Sequence, residues 1–337
     1  MKWQETAPAH STDAETPACL CGEVAADRRI VARDVVTGEL FGYLRCARCG
    51  LERLSPRPPL ASMGRYYPDD YAPYCDPAPQ PASTVGRIKQ LVFQVFYARP
   101  DERSAAGRRW RWLLLVLLAP LRHHGVLAFP QPTVRRVFEF GSGSGGDLTE
   151  FRDAGWEVWG CEPSGRACEI AAQRGLQLQH CPAEAAELPA GLSCVYLNNV
   201  FEHLHDPLGV LAKARAALIP GGLVVLVVPN HASWAARLFG AAWPGYDPPR
   251  HIWGFSPRSV RRLLESSGFA LVSIHQVFPL SNHCWCSGIQ GDRAPRTPRP
   301  RLRQRLARLL GRSVIPVSMI AAECGHGDYI RVVARKV

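Results

Sequence analysis

Gly141, Gly143 and Gly145 follow directly on an apolar run containing Val134, Val137, Phe138 and Phe140, and Gly146-Asp147-Leu148 then opens a helix. Glycines at such a joint let the backbone turn sharply and approach a ligand closely. A strand–glycine–helix joint is where a doubly wound sheet binds nucleotide-like molecules. Glu162 ends the next apolar run, where a carboxylate can accept hydrogen bonds from both hydroxyls of a ribose. Glu139 lies inside the first run. A charge there is costly unless paired, so it is expected to hold the glycine loop or a cationic ligand. The glycine spacing also fits a dinucleotide pattern, so the loop alone does not choose between cofactors.

Two further clusters carry reactive side chains. Asn198-Asn199-Val200-Phe201-Glu202-His203-Leu204-His205-Asp206-Pro207 stands after an apolar run, at the edge where such sheets bind ligands. Asp206-Pro207 serves as a helix cap, but Glu202 and His203 exceed that need. Tyr246-Asp247-Pro248-Pro249-Arg250-His251-Ile252-Trp253-Gly254-Phe255 reads as a rigid loop. His251 is the first candidate for a general base near neutral pH, His203 the second. Asp247 and Arg250 are candidates for orienting a substrate. Near the start, Cys46 and Cys49 have knuckle spacing, and with Cys19 and Cys21 they are candidate ligands of one tetrahedral zinc. Cys19-x-Cys21 is a poorer chelating turn, so a zinc site and a vestigial one both stay open.

These groups need elements to position them. From residue 133 onward strand-like and helix-like segments alternate, the mark of a parallel sheet covered on both faces. Strands are expected over 134–140, 157–162, 176–180 (the weakest), 194–197, 223–228, 269–277 and 329–334. Helices are expected near 146–154 and after Ser164, Asp206 and Ser256-Pro257. The prediction is an α/β fold with a doubly wound, mostly parallel seven-stranded sheet and a small N-terminal cysteine-containing module. The organisation reads as a polar, disordered tail over 1–16, the cysteine module over 17–75, a linker with basic-apolar helices over 76–131, and the α/β domain over 132–337. That domain carries a basic insertion near 285–325.

A chain of 337 residues with 47% hydrophobic content can bury a large core. Its longest apolar run, from Trp112 to Ala119, is too short to span a membrane. Met1-Lys2-Trp3 leads into a polar stretch, and the twelve cysteines read as reduced thiols, so a cytoplasmic location is expected. The net charge of +11 concentrates around 99–111 and 293–312. Leu302, Leu306, Leu309 and Leu310 form one helical stripe flanked by arginines, and Trp110 and Trp112 lie beside another basic cluster. Such stripes fit an anionic headgroup region, so peripheral contact at the inner membrane face is expected alongside packing on the domain itself. The arginines lack the interleaved aromatics that stack on bases, which disfavours nucleic acid as a partner.

Together the motifs resemble the class I S-adenosylmethionine-dependent methyltransferases. More narrowly, the chain is similar to their bacterial branch with an N-terminal zinc-ribbon-like module. Glu139-Phe140-Gly141-Ser142-Gly143-Ser144-Gly145 fits the acidic-x-Gly-x-Gly-x-Gly loop, and Glu162 the ribose-binding acid. Glu202-His203-Leu204-His205-Asp206-Pro207 fits Glu-His-Leu-x-Asp-Pro, and Ile219-Pro220-Gly221-Gly222 the helix-ending Pro-Gly-Gly. Pro249-Arg250-His251 and Phe255-Ser256-Pro257 match that branch's Pro-Arg-His…Phe-Ser-Pro segment.

The resemblance implies a Rossmann-like methyltransferase fold with S-adenosylmethionine held by Gly141, Gly143, Gly145 and Glu162. It also implies Glu184 near the adenine and Asn199 near the methionine end. The acceptor is expected to be a small molecule, a glycan or a lipid-linked compound, with O-methylation favoured over C- or N-methylation. Quinone-type O-methyltransferases, which this segment also resembles, can bind a divalent metal through Glu-x-x-Glu-His. Asn199 replaces the first of those acids, so a catalytic metal is not expected. A nicotinamide-dependent oxidoreductase is the rival enzyme, but it leaves the Glu-His-Leu-x-Asp-Pro and Pro-Arg-His segments unexplained. A non-catalytic basic binding protein on the same fold is the other alternative.

Overall fold

The computed structural model describes residues 14–67, 84–98, 111–278 and 313–337. Near the start, β1 (Ala26–Arg33), β2 (Leu40–Cys46) and β3 (Glu52–Leu54) pair antiparallel, and a 3₁₀ segment over Leu60–Tyr66 follows. Two helices, α1 (Thr84–Phe96) and α2 (Arg111–Leu117), precede the main sheet.

That sheet starts with β4 (Arg136–Phe140), buried over Val137 to Phe140 because strands flank it on both sides. Gly146 opens α3 (Gly146–Asp153), which leads to β5 (Glu157–Cys161). The Ser164 hydroxyl caps α4 (Gly165–Gln173) by accepting from Ala167 N–H at 3.3 Å. Next comes β6 (Leu192–Asn198), then α5 (Pro207–Ala217), whose cap Asp206 accepts from Gly209 N–H at 2.9 Å. The aliphatic run 223–228 lies in β7 (Leu218–Pro229), and α6 (Trp234–Phe239) follows. The remainder is β8 (Trp253–Gly254), α7 (Pro257–Ser266), β9 (Phe269–Val277), α8 (Ile315–Glu323) and β10 (Tyr329–Lys336).

The main sheet has the order β5-β4-β6-β7-β10-β9. Its first four strands are parallel, and β10 runs antiparallel to both β7 and β9. The α/β class stands, but the seventh strand expected over 176–180 does not form. That segment contributes a single parallel bridge, Gln179 to Cys161. Gly175 turns just before it at φ +75°, and Pro182, with no N–H to donate, follows closely, so too few residues remain for a ladder. The chain moves from β4 to β5 on one side and then to β6 on the other. The β4–β6 boundary is therefore the switch point, where ligands bind at the carboxyl ends of the strands.

The N-terminal sheet is not separate. β8 joins it through pairs Glu52–Gly254 and Arg53–Trp253, giving the order β1-β2-β3-β8. Cys19, Cys46 and Leu51 belong to the same core as Phe201, Trp253 and Phe255. A second core packs Phe41, Tyr43 and Tyr66 against Trp243 and Tyr246. The basic run 293–312 with its leucine stripe lies outside the described residues, as do Trp110 and the tail 1–13. Among the described residues no helix is long and apolar enough to cross a membrane.

Candidate active site

A cavity of ≈ 610 Å³ opens at the switch point. Gly141, Gly143, Glu162, Glu184, Asn199 and His203 all line it. Gly141 and Gly143 run at φ +60° and +51°, a region L side chains avoid. The tightness differs between the glycines. A Cβ on Gly141 would stand 2.5 Å from Val200 Cγ2, and one on Gly145 2.5 Å from Leu176 Cδ1. Gly145 thus lets α3 pack against its neighbour and is not part of the cavity lining, unlike the other two.

Glu162 is buried, and both its oxygens are engaged: Oε2 accepts from Gly143 N–H and Oε1 from Ser164 N–H, each at 2.9 Å. Burial raises its carboxyl above the ordinary range, and the two N–H donors oppose that shift. Glu139 sits under the loop, not in the cavity wall. Burial and the nearby Asp147 raise its carboxyl well above the usual range, and its Oε2 has no hydrogen-bond partner among the described residues. Asn198 Nδ2 donates to Asp147 at 2.8 Å, tying the end of β6 to the first turn of α3. Asn199, at φ +54°, then turns the chain into the cavity wall. Glu184 accepts from His205 N–H at 2.9 Å, which binds its own loop to the Glu-His-Leu segment.

Glu202, His203 and His251 come together although they arise from two segments. The two imidazole rings meet edge to face at 4.6 Å, and each Nε2 stands 4.0 Å from Glu202 Oε1. Burial governs all three protonation equilibria. The Glu202 carboxyl is raised to about 8, while His203 is lowered to about 3 and His251 to about 4. Only His203 of the three lines the cavity.

Asp247 and Arg250 do not line the cavity. The Arg250 guanidinium, 1% exposed, is paired bidentately with Asp247 at 2.7 and 2.8 Å and with Asp34 at 3.0 Å. It also donates to the Tyr66 carbonyl at 2.7 Å. The Pro-Arg-His loop thereby holds the N-terminal sheet onto the domain.

The sequence reading did not single out the cavity's other wall. Leu60, Met63, Gly64 and Tyr67 line it, and Tyr67 Oη lies 3.2 Å from His203 Nδ1. No local pattern marks these residues, because only the cross-sheet pairing brings them over the glycine loop. The four cysteines do converge. Cys19 and Cys49 sulfurs are 3.4 Å apart, Cys21 and Cys46 3.6 Å, and all four lie within 4.8 Å of one another. Cys49 N–H points at the Cys46 sulfur (3.5 Å), and N–H donors lower the Cys46 thiol to about 7 against the opposing effect of burial.

Residues 110–274 match a family model described as a methyltransferase domain. The C-methyltransferase NovU of Streptomyces niveus is 33% identical over 145 residues, covering 41% of this chain and 34% of that protein. The chain thus spans about a third of that relative's length. Among solved structures, a methyltransferase from Thermotoga maritima aligns at TM-score 0.44 and 19% identity, covering 74% of this chain and 100% of the other. One from Archaeoglobus fulgidus aligns at 0.43 and 18%, covering 67% and 94%. Over residues 110–274 this chain is thus similar to methyltransferase domains.

Proposed function

We propose that this chain transfers a methyl group from S-adenosylmethionine to a small-molecule acceptor. The observation that carries the reading is one cavity lined by Gly141, Gly143 and Glu162 together with His203. Its volume, ≈ 610 Å³, suits a nucleoside with room for a second molecule. The residues fit the cofactor. Glu162 offers a directed carboxylate for ribose hydroxyls, and Gly141 and Gly143 leave the cavity beside it free of side chains.

When bound, S-adenosylmethionine supplies a methyl group already activated by its sulfonium. The chain's own work is alignment and exclusion of water. Glu162, Glu184 and Asn199 hold the cofactor side. Glu202, His203 and His251 activate the acceptor, with His203 in contact with it and the other two behind. Asp247 and Arg250 keep the N-terminal wall in place. The likeness to a C-methyltransferase supports a carbon nucleophile over the oxygen favoured by sequence. One zinc on Cys19, Cys21, Cys46 and Cys49 belongs to the same proposal, since four converging sulfurs match a closed structural site. Peripheral membrane contact would use the exposed Leu113, Val116 and Leu117 of α2, and co-flotation with anionic liposomes tests it.

Calorimetry with S-adenosylhomocysteine tests the main reading. The purified chain should bind it, and Glu162→Ala should weaken binding at least about tenfold through loss of charge-assisted hydrogen bonds. Unchanged affinity in the variant would sink the assignment.

A further inference from the structure

The Glu202–His203–His251 cluster has an electrostatic property that the two roles above do not use. His203 Nδ1 lies 2.9 Å from the Arg250 carbonyl, and His251 Nδ1 2.8 Å from the Gly245 carbonyl. A carbonyl only accepts, so each Nδ1 carries the proton and each neutral ring presents a bare lone pair at Nε2. Both Nε2 atoms stand 4.0 Å from Glu202 Oε1, beyond hydrogen-bonding distance. Glu202 is 1% exposed, and neither of its oxygens has a hydrogen-bond partner among the described residues. Three buried groups with lone pairs to offer therefore face one another, and none hydrogen-bonds another.

The gap has the size of an ion. Ligand atoms about 2.1 Å from one metal stand roughly 3 Å apart, so a shift of about 1 Å shared among the side chains would close the site. An imidazole whose Nδ1–H is held by a carbonyl while Nε2 points inward has the orientation of a metal ligand. His251, from the neighbouring loop, completes the donor set with Glu202 and His203, their ligand atoms all within 4.8 Å of one another. We propose that Glu202, His203 and His251 bind one divalent first-row metal ion, whose open positions take an oxygen of the methyl acceptor from the cavity. Two imidazoles and one carboxylate suit Mn(II), Fe(II) or Zn(II) better than Mg(II). The role given to the acceptor rests on the methyltransferase reading, whereas the ion site itself does not.

Mn(II) is the probe, because hard manganese discriminates against the cysteine tetrad and its binding is read by electron paramagnetic resonance. The full chain, treated with chelator, should bind one Mn(II), with pulsed spectra carrying imidazole nitrogen couplings. Glu202→Gln and His251→Gln should each weaken Mn(II) binding at least about tenfold, while Cys324→Ser, at an exposed cysteine outside both clusters, binds it as the unsubstituted chain does. No binding by the unsubstituted chain, binding without nitrogen coupling, or undiminished binding by both site variants would overturn the proposal. Should the variants misfold, the nitrogen couplings of the unsubstituted chain still decide. S-adenosylhomocysteine binding without Mn(II) binding refutes the ion site and leaves methyl transfer intact. Mn(II) binding without S-adenosylhomocysteine binding supports the ion site and refutes the methyltransferase reading.

Discussion

At Gly143 the backbone turns at φ +51°, its N–H donates to Glu162 at 2.9 Å, and the residue lines the cavity. A branched side chain there meets the strain of the left-handed region and adds bulk beside the ligand. Gly143→Val should lower S-adenosylhomocysteine affinity by about 100-fold while circular dichroism still reports a folded domain. Gly141 makes a different case, because a Cβ there would strike Val200 at 2.5 Å, so even Gly141→Ala disturbs the β6 end. Calorimetry combined with thermal melting separates the two effects. On the acceptor side, His203 lines the cavity and His251 stands behind it. His203→Ala should lower turnover about 100-fold and leave S-adenosylhomocysteine affinity within about twofold. Loss of both together would mean that His203 supports the cofactor wall instead of the acceptor.

α1 ends against the far edge of the main sheet through histidines. Tyr97 Oη lies 3.3 Å from His123 Nδ1, the His123 and His275 rings stack at 3.4 Å, and His124 Nε2 donates to the Phe278 carbonyl at 2.9 Å. Burial lowers all three imidazoles, His123 to about 3, with Arg122 and Arg331 adding to the effect on His123. These groups stay neutral in the fold, whereas the unfolded chain binds protons below about 6.5. Stability is therefore present above that pH and is lost as pH falls from 6.5 towards 3. His123→Phe keeps a ring in the stack without a titrating group. Its melting temperature should fall less steeply than that of the unsubstituted chain between about pH 6.5 and 4, and parallel slopes would contradict the argument. Elements built on long apolar runs, such as β4 and β7, were legible in the sequence because burial on both faces needs a continuous run. The glycine loop, Glu162 and the Glu-His pair were legible for the same reason, since each follows such a run. β8 and the wall at Leu60–Tyr67 were not, because two paired residues and a 3₁₀ segment carry no period and depend on partners distant in sequence. The weakest expected strand, 176–180, failed because Gly175 and Pro182 leave too few residues for a ladder, and both signals stand in the sequence.

The N-terminal sheet and the α/β domain share their core, their strand pairing and one buried ion cluster, so the chain should unfold as one body. Glu52, on β3, accepts from Tyr246 Oη at 2.7 Å and from His231 Nδ1 at 2.9 Å. Tyr43 Oη donates to the His251 carbonyl at 2.7 Å, and Asp34 faces Arg250 at 3.0 Å with both side chains almost fully buried. Removing one partner of such a pair leaves a buried charge uncompensated, at a cost of about 3–5 kcal/mol. Arg250→Gln, which leaves the buried Asp34 without its cation, should therefore lower the melting temperature of the whole chain in a single transition, not melt the N-terminal sheet alone. The cysteine tetrad extends the same logic. Cys46 ends β2, and Leu51, just before β3, shares a core with Phe201 and Phe255. Loss of the tetrad should propagate through β3 and β8 to the wall that Leu60, Met63 and Tyr67 give the cavity. Elemental analysis should then find the proposed zinc in the unsubstituted chain and not in Cys46→Ser, which should also melt earlier and bind S-adenosylhomocysteine several-fold more weakly, although no cysteine of the tetrad lines the cavity. Two separate melting transitions with unchanged S-adenosylhomocysteine affinity would refute this coupling, because an independent module could lose its metal without the cofactor site responding.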